Sequence, residues 1–236
     1  RSQIIDDMAE GPDADLIMAL ARHYTGEDFG KLTRSIVNQR EGFSQASTWE
    51  GILALFGQPA DLTEKSITSS VYLGSEAAIL DAMIPPMLAK GGLDGKAAEK
   101  LKMIGALDIT ALPVLEDIFL TGTGAKEPFT AKIGSVPTKP TQKILFDLMP
   151  QVDDLMRRVE GARDARLALK AAQKTHVLHQ FAHRFLHIYA FEKQKCGWLD
   201  FDDLILKART LLTNPAVAAW VLYRIDGGID HILVDE

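Results

Sequence analysis

Apolar residues recur at helical spacing along most of this chain. Leu16, Ile17, Leu20 and Ala21 fall on one helix face, and Pro12 with Asp13 just before them suits a helix start. Phe29, Leu32, Ile36 and Val37 repeat the pattern. Trp49, Ile52, Leu53 and Phe56 form a third stripe, ended by Gly57 and Pro59. Further helices are predicted over 77–88, 97–107 and 111–120. Pro85-Pro86 should kink or break the first of these, while Pro113 sits near the first turn of the last. Residues 121–140 lose the period. Their glycines and prolines predict a long loop, an exposed flexible connector made locally basic by Lys126, Lys132, Lys139 and Lys143.

A proline-free tract follows over 151–195. Val152, Leu155, Val159, Leu169, Val177, Phe181, Phe185 and Ile188 are spaced to share one buried face. A helix of about 45 residues would reach about 65 Å at 1.5 Å per residue. Such a helix either links two bodies or breaks at Gly161. Gly197 is placed to end it. Asp200 is placed to cap the next helix, with Asp202 and Asp203 favourable in its first turn and Leu204, Ile205 and Ala208 on the face expected to bury. Helix continues over 217–222, and Asp226-Gly227-Gly228 reads as a turn. The chain then closes on Ile232-Leu233-Val234-Asp235-Glu236, an apolar run that reads as a buried strand carrying two carboxylates at its tip.

That last arrangement is the layout of a Walker B element. The Asp235 carboxylate would hold a magnesium ion through water, and Glu236 would activate the water that attacks ATP. With Arg1-Ser2-Gln3 at the other end and no initiator Met, the sequence reads as an internal piece of a larger protein.

Composition narrows the class without choosing a function. A hydrophobic content of 47% and a charged content of 25% predict a folded globular chain. The net charge of −6 argues against a generally basic nucleic-acid coat but leaves room for a local basic face. The single cysteine, Cys196, excludes an internal disulfide and a cysteine-based zinc site, which suits a reducing cytoplasm. No apolar run approaches the roughly 20 residues that span a bilayer.

Four features invite chemistry, and each has a plainer alternative. Gly122 and Gly124 suggest a phosphate loop, but their spacing is not that of a Walker A element, and a connector accounts for them. Arg157, Arg158, Lys170, Lys174, Arg184 and Lys193, with Arg163, Arg166 and Lys195, make the long helix locally basic, the first six being the candidate DNA contacts. They read as a DNA-binding face or as a solvated face paired with Asp153, Asp154, Glu160, Asp164 and Glu192. His176, His179, His183 and His187 crowd one tract, and the last three share a helix face at zinc-binding spacing; a polar stripe beside the apolar face, or a pH-sensitive surface facing DNA, accounts for them as well. Asp200, Asp202 and Asp203 suggest a nuclease-like metal site, although helix capping already explains them.

Taken together, Tyr189, Phe191, Lys193, the segment Leu199-Asp200-Phe201-Asp202-Asp203-Leu204, and the ending Ile232-Leu233-Val234-Asp235-Glu236 resemble the UvrD/RecB-like superfamily 1 DNA helicases. The likeness is closest to AddA, the helicase-nuclease subunit of the AddAB double-strand-break repair complex, in its alphaproteobacterial form. Residues 112–121 and the lysine-bearing loop after them add to it.

The resemblance implies a mainly α chain. Residues 1–190 would form a helical 1B-like accessory subdomain, and 191–236 a truncated edge of a RecA-like α/β P-loop NTPase domain. It places Asp235 on the magnesium of Mg-ATP and Glu236 as catalytic base, with Asp200, Phe201, Asp203 and Leu204 as structural motif residues. It also implies ATP and Mg2+ as cofactors of the parent protein, DNA (single strand and duplex junction) and an AddB-like subunit as partners, and an exonuclease elsewhere in the parent. No Walker A element occurs in the sequence, so the chain alone is expected to be inactive as an ATPase. The contrasting class is a non-catalytic helical interaction or DNA-binding module.

Overall fold

The helical periodicity carries through to the computed structural model, which describes residues 1–24 and 29–225. In chain order the helices are α1 (Ser2–Glu10), α2 (Ala14–His23), α3 (Phe29–Asn38), α4 (Trp49–Leu55), α5 (Glu64–Val71), α6 (Glu76–Lys90), α7 (Gly92–Lys102), α8 (Leu112–Phe119), α9 (Lys139–Ile144), α10 (Met149–Cys196), α11 (Phe201–Thr213) and α12 (Pro215–Ile225). Short 3-10 turns lie at Arg40–Phe43 and Phe146–Leu148. Among the described residues there is no strand, and Leu120 and Ala131 form an isolated antiparallel bridge. The chain is therefore mainly α over the described residues. The strand expected at 232–234, which would mark a RecA-like sheet, lies outside them.

Packing divides the chain into two units, one of residues 16–25 and 45–181, the other of residues 1–15, 26–44 and 182–236. The core of the first unit is built on α10. Val152, Leu155, Met156, Val159, Leu169 and Ala172 are buried, joined in one cluster by Leu53, Met83, Met87, Leu115 and Phe119 from α4, α6 and α8. Each large side chain sequestered in this way contributes about 1.5–3 kcal/mol. In the second unit Ile4, Met8, Ile36, Ala182 and Phe185 are buried.

Helix α10 is unbroken over 48 residues, about 72 Å at 1.5 Å per residue. The expected alternative of a break at Gly161 is corrected. A glycine inside a helix costs only about 0.5–1 kcal/mol, and the buried Val159 and Ala162 on either side offset it. Residues 149–181 of the helix belong to the first unit and 182–196 to the second. It ends as expected at Gly197, whose φ of 66° suits glycine. The N–H of Gly197 donates to Gln194 O at 3.1 Å and that of Trp198 to Lys193 O at 2.9 Å, closing the last turn.

A second correction concerns the expected alternative of a break at Pro85-Pro86, because α6 runs through both. Each proline removes a helix donor at a cost of about 3 kcal/mol or more. The burial of Ile79, Leu80, Met83 and Met87, with α6 packed against α7, holds the helix together. The helix expected over 97–107 starts earlier and stops at Lys102. The 121–140 segment is not a loose connector. The N–H of Thr121 donates to Thr130 O at 2.8 Å and that of Lys132 to Phe119 O at 2.7 Å, while the Arg163 guanidinium lies 3.5 Å over the Phe129 ring. Lys132 Nζ donates to Ile118 O at 3.0 Å, capping the carbonyl end of α8.

The buried carboxylates fix the elements further. Glu76 is 1% exposed and lies 2.7 Å from Arg158 Nη1, which also donates to the Val71 carbonyl. The N–H of Gly74 donates to Glu76 at 2.8 Å. Burial alone would raise the Glu76 pKa. The hydrogen bonds from Arg158 and from the backbone N–H groups of Leu73, Gly74 and Glu76 itself outweigh it and pull the value from 4.5 to about 2. A carboxyl depressed in the folded state stabilises the fold above its unfolded value and loses that contribution as pH falls. The acid limb of stability should therefore include a component lost between about pH 4.5 and pH 2, seen in urea midpoints against pH and absent in Glu76→Gln. Arg158→Ala should cost about 3–5 kcal/mol at neutral pH, because it leaves the Glu76 charge buried without its partner.

Candidate functional site

The segment Leu199–Leu204 begins α11, and its polar residues are spent on making that helix start. Asp200 is the N-cap, in extended backbone geometry, and its side chain accepts from the N–H of Asp203 at 2.9 Å. Asp203 returns the bond by accepting from the N–H of Asp200 at 2.9 Å. Capping by Asp200 was legible in the sequence. What surrounds it was not.

Arg40, from the 3-10 turn that follows α3, donates through Nη2 to Asp200 Oδ1 at 2.9 Å and through Nη1 to Oδ2 at 3.1 Å. The same guanidinium lies 3.0 Å from Asp202 and 3.4 Å from Asp203. Lys193, in the last turn of α10, donates to Asp200 at 2.6 Å and pairs also with Asp203. Lys193 is 11% and Arg40 17% exposed at the side chain, so both cations are largely withdrawn from solvent. Three segments of the second unit converge on one aspartate.

The electrostatics agree with the geometry. The Arg40 hydrogen bond, opposed by burial and helped by Lys193 and the Asp203 N–H, holds the Asp200 carboxyl well below the usual carboxylate range. Arg40 is raised by its bond to Asp200. Lys193 is raised because Asp200 and Asp203 outweigh the desolvation that would lower it. Asp200 contributes stability above its unfolded value, and Lys193 contributes below its own, so the cluster is intact across the neutral range. Two cations already sit among the three carboxylates, and a divalent ion would have to displace them. The cluster is a structural clasp.

The remaining expected site residues are dispersed. Phe201 is 86% and Leu204 49% exposed, and Ile205 and Ala208 are exposed as well. The expectation that Leu204, Ile205 and Ala208 bury is thus corrected. Helix α11 packs against α12, and its Leu204, Ile205, Leu206, Leu211 and Leu212 remain exposed among the described residues. Of the six basic residues, Arg158 faces inward on Glu76, Arg184 pairs with Asp13 at 2.9 Å, Lys174 lies 5.1 Å from the centre of the Tyr24 ring, and Lys193 belongs to the clasp. Arg157 and Lys170 are exposed and pair with no carboxylate among the described residues. The histidines do not gather into one site. His183 and His187 lie with ring centres 4.6 Å apart, whereas His176 meets the edge of Trp49 at 5.5 Å and is lowered in pKa by burial and by His179. Asp235 and Glu236 lie outside the described residues.

Residues 82–236 match the UvrD/REP helicase N-terminal domain. The match covers more than half of the chain, which therefore belongs to the UvrD-like superfamily 1 helicase family. Helicases of this family use ATP and Mg2+ and act on DNA. No curated protein and no solved structure matches the chain. No described helix is long and apolar enough to cross a membrane.

Arg40 is the residue that sequence reading missed. It lies 160 positions from Asp200, and no local pattern marks it. Asp200→Ala should lose a cap worth about 0.5–2 kcal/mol and take from Arg40 and Lys193 the one carboxylate that both hydrogen-bond, leaving them Asp202 and Asp203. Hydrogen exchange at the amides of 202–205 should accelerate in this variant, and equally in Arg40→Ala despite its distance in sequence. Unchanged protection in Arg40→Ala would show that the clasp does not hold the helix.

Proposed function

We propose that the chain belongs to an AddA-type ATP-dependent DNA helicase acting in double-strand-break repair. In this reading residues 1–190 are a helical accessory subdomain that guides DNA, and 191–236 lead into the nucleotide-binding domain. The family match over 82–236 carries the helicase part of this reading. The exposed apolar face of α11 and α12, with Ile205 65%, Trp220 61% and Tyr223 78% exposed, supports the second part, because a helix that lies on a larger sheet presents such a face.

In the parent protein Asp235 would hold the magnesium of Mg-ATP and Glu236 would take the proton from the attacking water. The capped and clasped start of α11 fixes the helix that leads toward them in sequence. DNA would be met by cations not already spent on carboxylates, Arg157 and Lys170 first. An AddB-like partner subunit, cytoplasmic localisation and a nuclease elsewhere in the parent chain belong to the same reading.

The chain by itself should not turn over ATP. It has no Walker A loop, so nothing cradles the phosphates. Phosphate release by the pure chain should stay at the buffer blank with and without single-stranded DNA, and DNA-stimulated release would contradict the assignment. In the longer polypeptide that supplies the phosphate loop, Glu236→Gln should still bind ATP but lose about 10²–10⁴ in turnover. Full turnover in that variant would remove Glu236 from catalysis.

A further inference from the structure

The first unit carries a cleft that the motif residues do not touch. It lies where α9, the 3-10 turn Phe146–Leu148 and the first turns of α10 meet, with a volume of about 710 Å³. That size falls in the range of small-ligand sites, ~300–1,000 Å³. Lys139, Lys143 and Arg157 line it together with Phe146, Asp147 and Asp153. Lys143 and Arg157 are exposed and pair with no carboxylate among the described residues, and Lys139 reaches Gln142 only at 3.5 Å. Three cations against two carboxylates leave the cleft net positive on a chain of net charge −6.

Phe146 gives the cleft its second property. Its neighbour Leu145 is buried and anchors the turn, while Phe146 itself is 76% exposed. A lone exposed aromatic residue is ordinary. One held in a groove among three cations has the composition of a stacking platform beside a phosphate track.

The frame under this cleft is fixed by Asp94, which is 3% exposed on α7. It accepts from the N–H of Thr138 at 2.9 Å, from Thr138 Oγ1 at 2.6 Å and from Thr141 Oγ1, and so ties down the start of α9. Burial would raise the Asp94 carboxyl, but those bonds hold it lowered and therefore charged. The lysines are thus carried on an anchored element, which reduces the ordering needed to bind.

We propose that this cleft is a contact for single-stranded DNA, in which Lys139, Lys143 and Arg157 meet successive backbone phosphates and Phe146 stacks on an unpaired base. The inference rests on the DNA-guiding reading above for its ligand class and adds the place and the residues that make the contact. An unpaired base is required, because a base inside a duplex offers no free face to the ring.

The test is fluorescence anisotropy of a labelled oligo-dT against the whole chain at several salt concentrations. Phe146→Ala should weaken binding about tenfold with the salt slope unchanged, as expected for a lost stacking contact. Lys139→Ala/Lys143→Ala should weaken binding and reduce the salt slope by about 1.4, at roughly 0.7 per phosphate contact on a single strand. All three side chains are exposed, so thermal midpoints should match the parent chain and report intact folding. If the parent chain binds and all variants bind equally well, the cleft is overturned while the DNA-guiding reading stands. If the parent chain fails to bind at low salt, that reading falls and takes the cleft with it. Equal affinity for duplex DNA, or equal competition by polyglutamate, would overturn the single-strand assignment by showing a surface that reads charge alone.

Discussion

Long helices rich in charge are held in place by what their charges meet, and here the arginines of α10 meet carboxylates from far along the chain. Arg158 takes the buried Glu76, Arg166 takes Glu116 at 2.6 Å through Nη2 with Arg163 at 3.7 Å from the same group, and Arg184 takes Asp13. Leaving the buried Glu76 without its cation would cost several kcal/mol, whereas the exposed Arg184–Asp13 pair is worth far less, and each pair marks the approach of one element to one turn of the helix. The apolar face supplies most of the burial energy, and the ion pairs supply register.

This arrangement changes the meaning of the basic tract. Two readings suggested themselves from sequence, a phosphate-tracking face or a solvated face paired within the helix. Local pairs exist, such as Arg158 with Asp154 at 3.0 Å, but the dominant partners come from α6, α8 and the segment before α2. Charge available to nucleic acid is therefore restricted to the few cations outside these pairs. Three of them gather at the α9–α10 cleft, a place that the charge pattern of the helix alone does not single out.

Much of the architecture was legible because it is periodic. The stripes that begin at Leu16, Phe29 and Trp49 correspond to α2, α3 and α4. Of the face predicted on α10, Val152, Leu155, Val159, Leu169, Phe181 and Phe185 are buried while Val177 and Ile188 are only half-buried, and Asp200 caps α11. What was not legible depends on distant residues. Pro85 and Pro86 stay helical because packing against α7 outweighs the missing donors, and Arg40 reaches Asp200 across 160 positions. Leu204 and Ile205 lie on an apolar stripe, but periodicity identifies a face without identifying what covers it. The clasp joins the two levels. A motif that sequence resemblance selects turns out to be the point where the 3-10 turn at Arg40–Phe43, the end of α10 and the start of α11 are tied together.

The fold depends most on the arginines of α10 serving internal carboxylates. A double-mutant cycle of Arg166→Ala and Glu116→Ala, read from urea unfolding, measures this directly. Both side chains are at most 12% exposed and meet through two parallel hydrogen bonds. Their coupling should exceed about 1 kcal/mol, the range of residues in one shared network. A coupling of about 0.3 kcal/mol or less, with additive single effects, would contradict the claim and return these arginines to the solvated face.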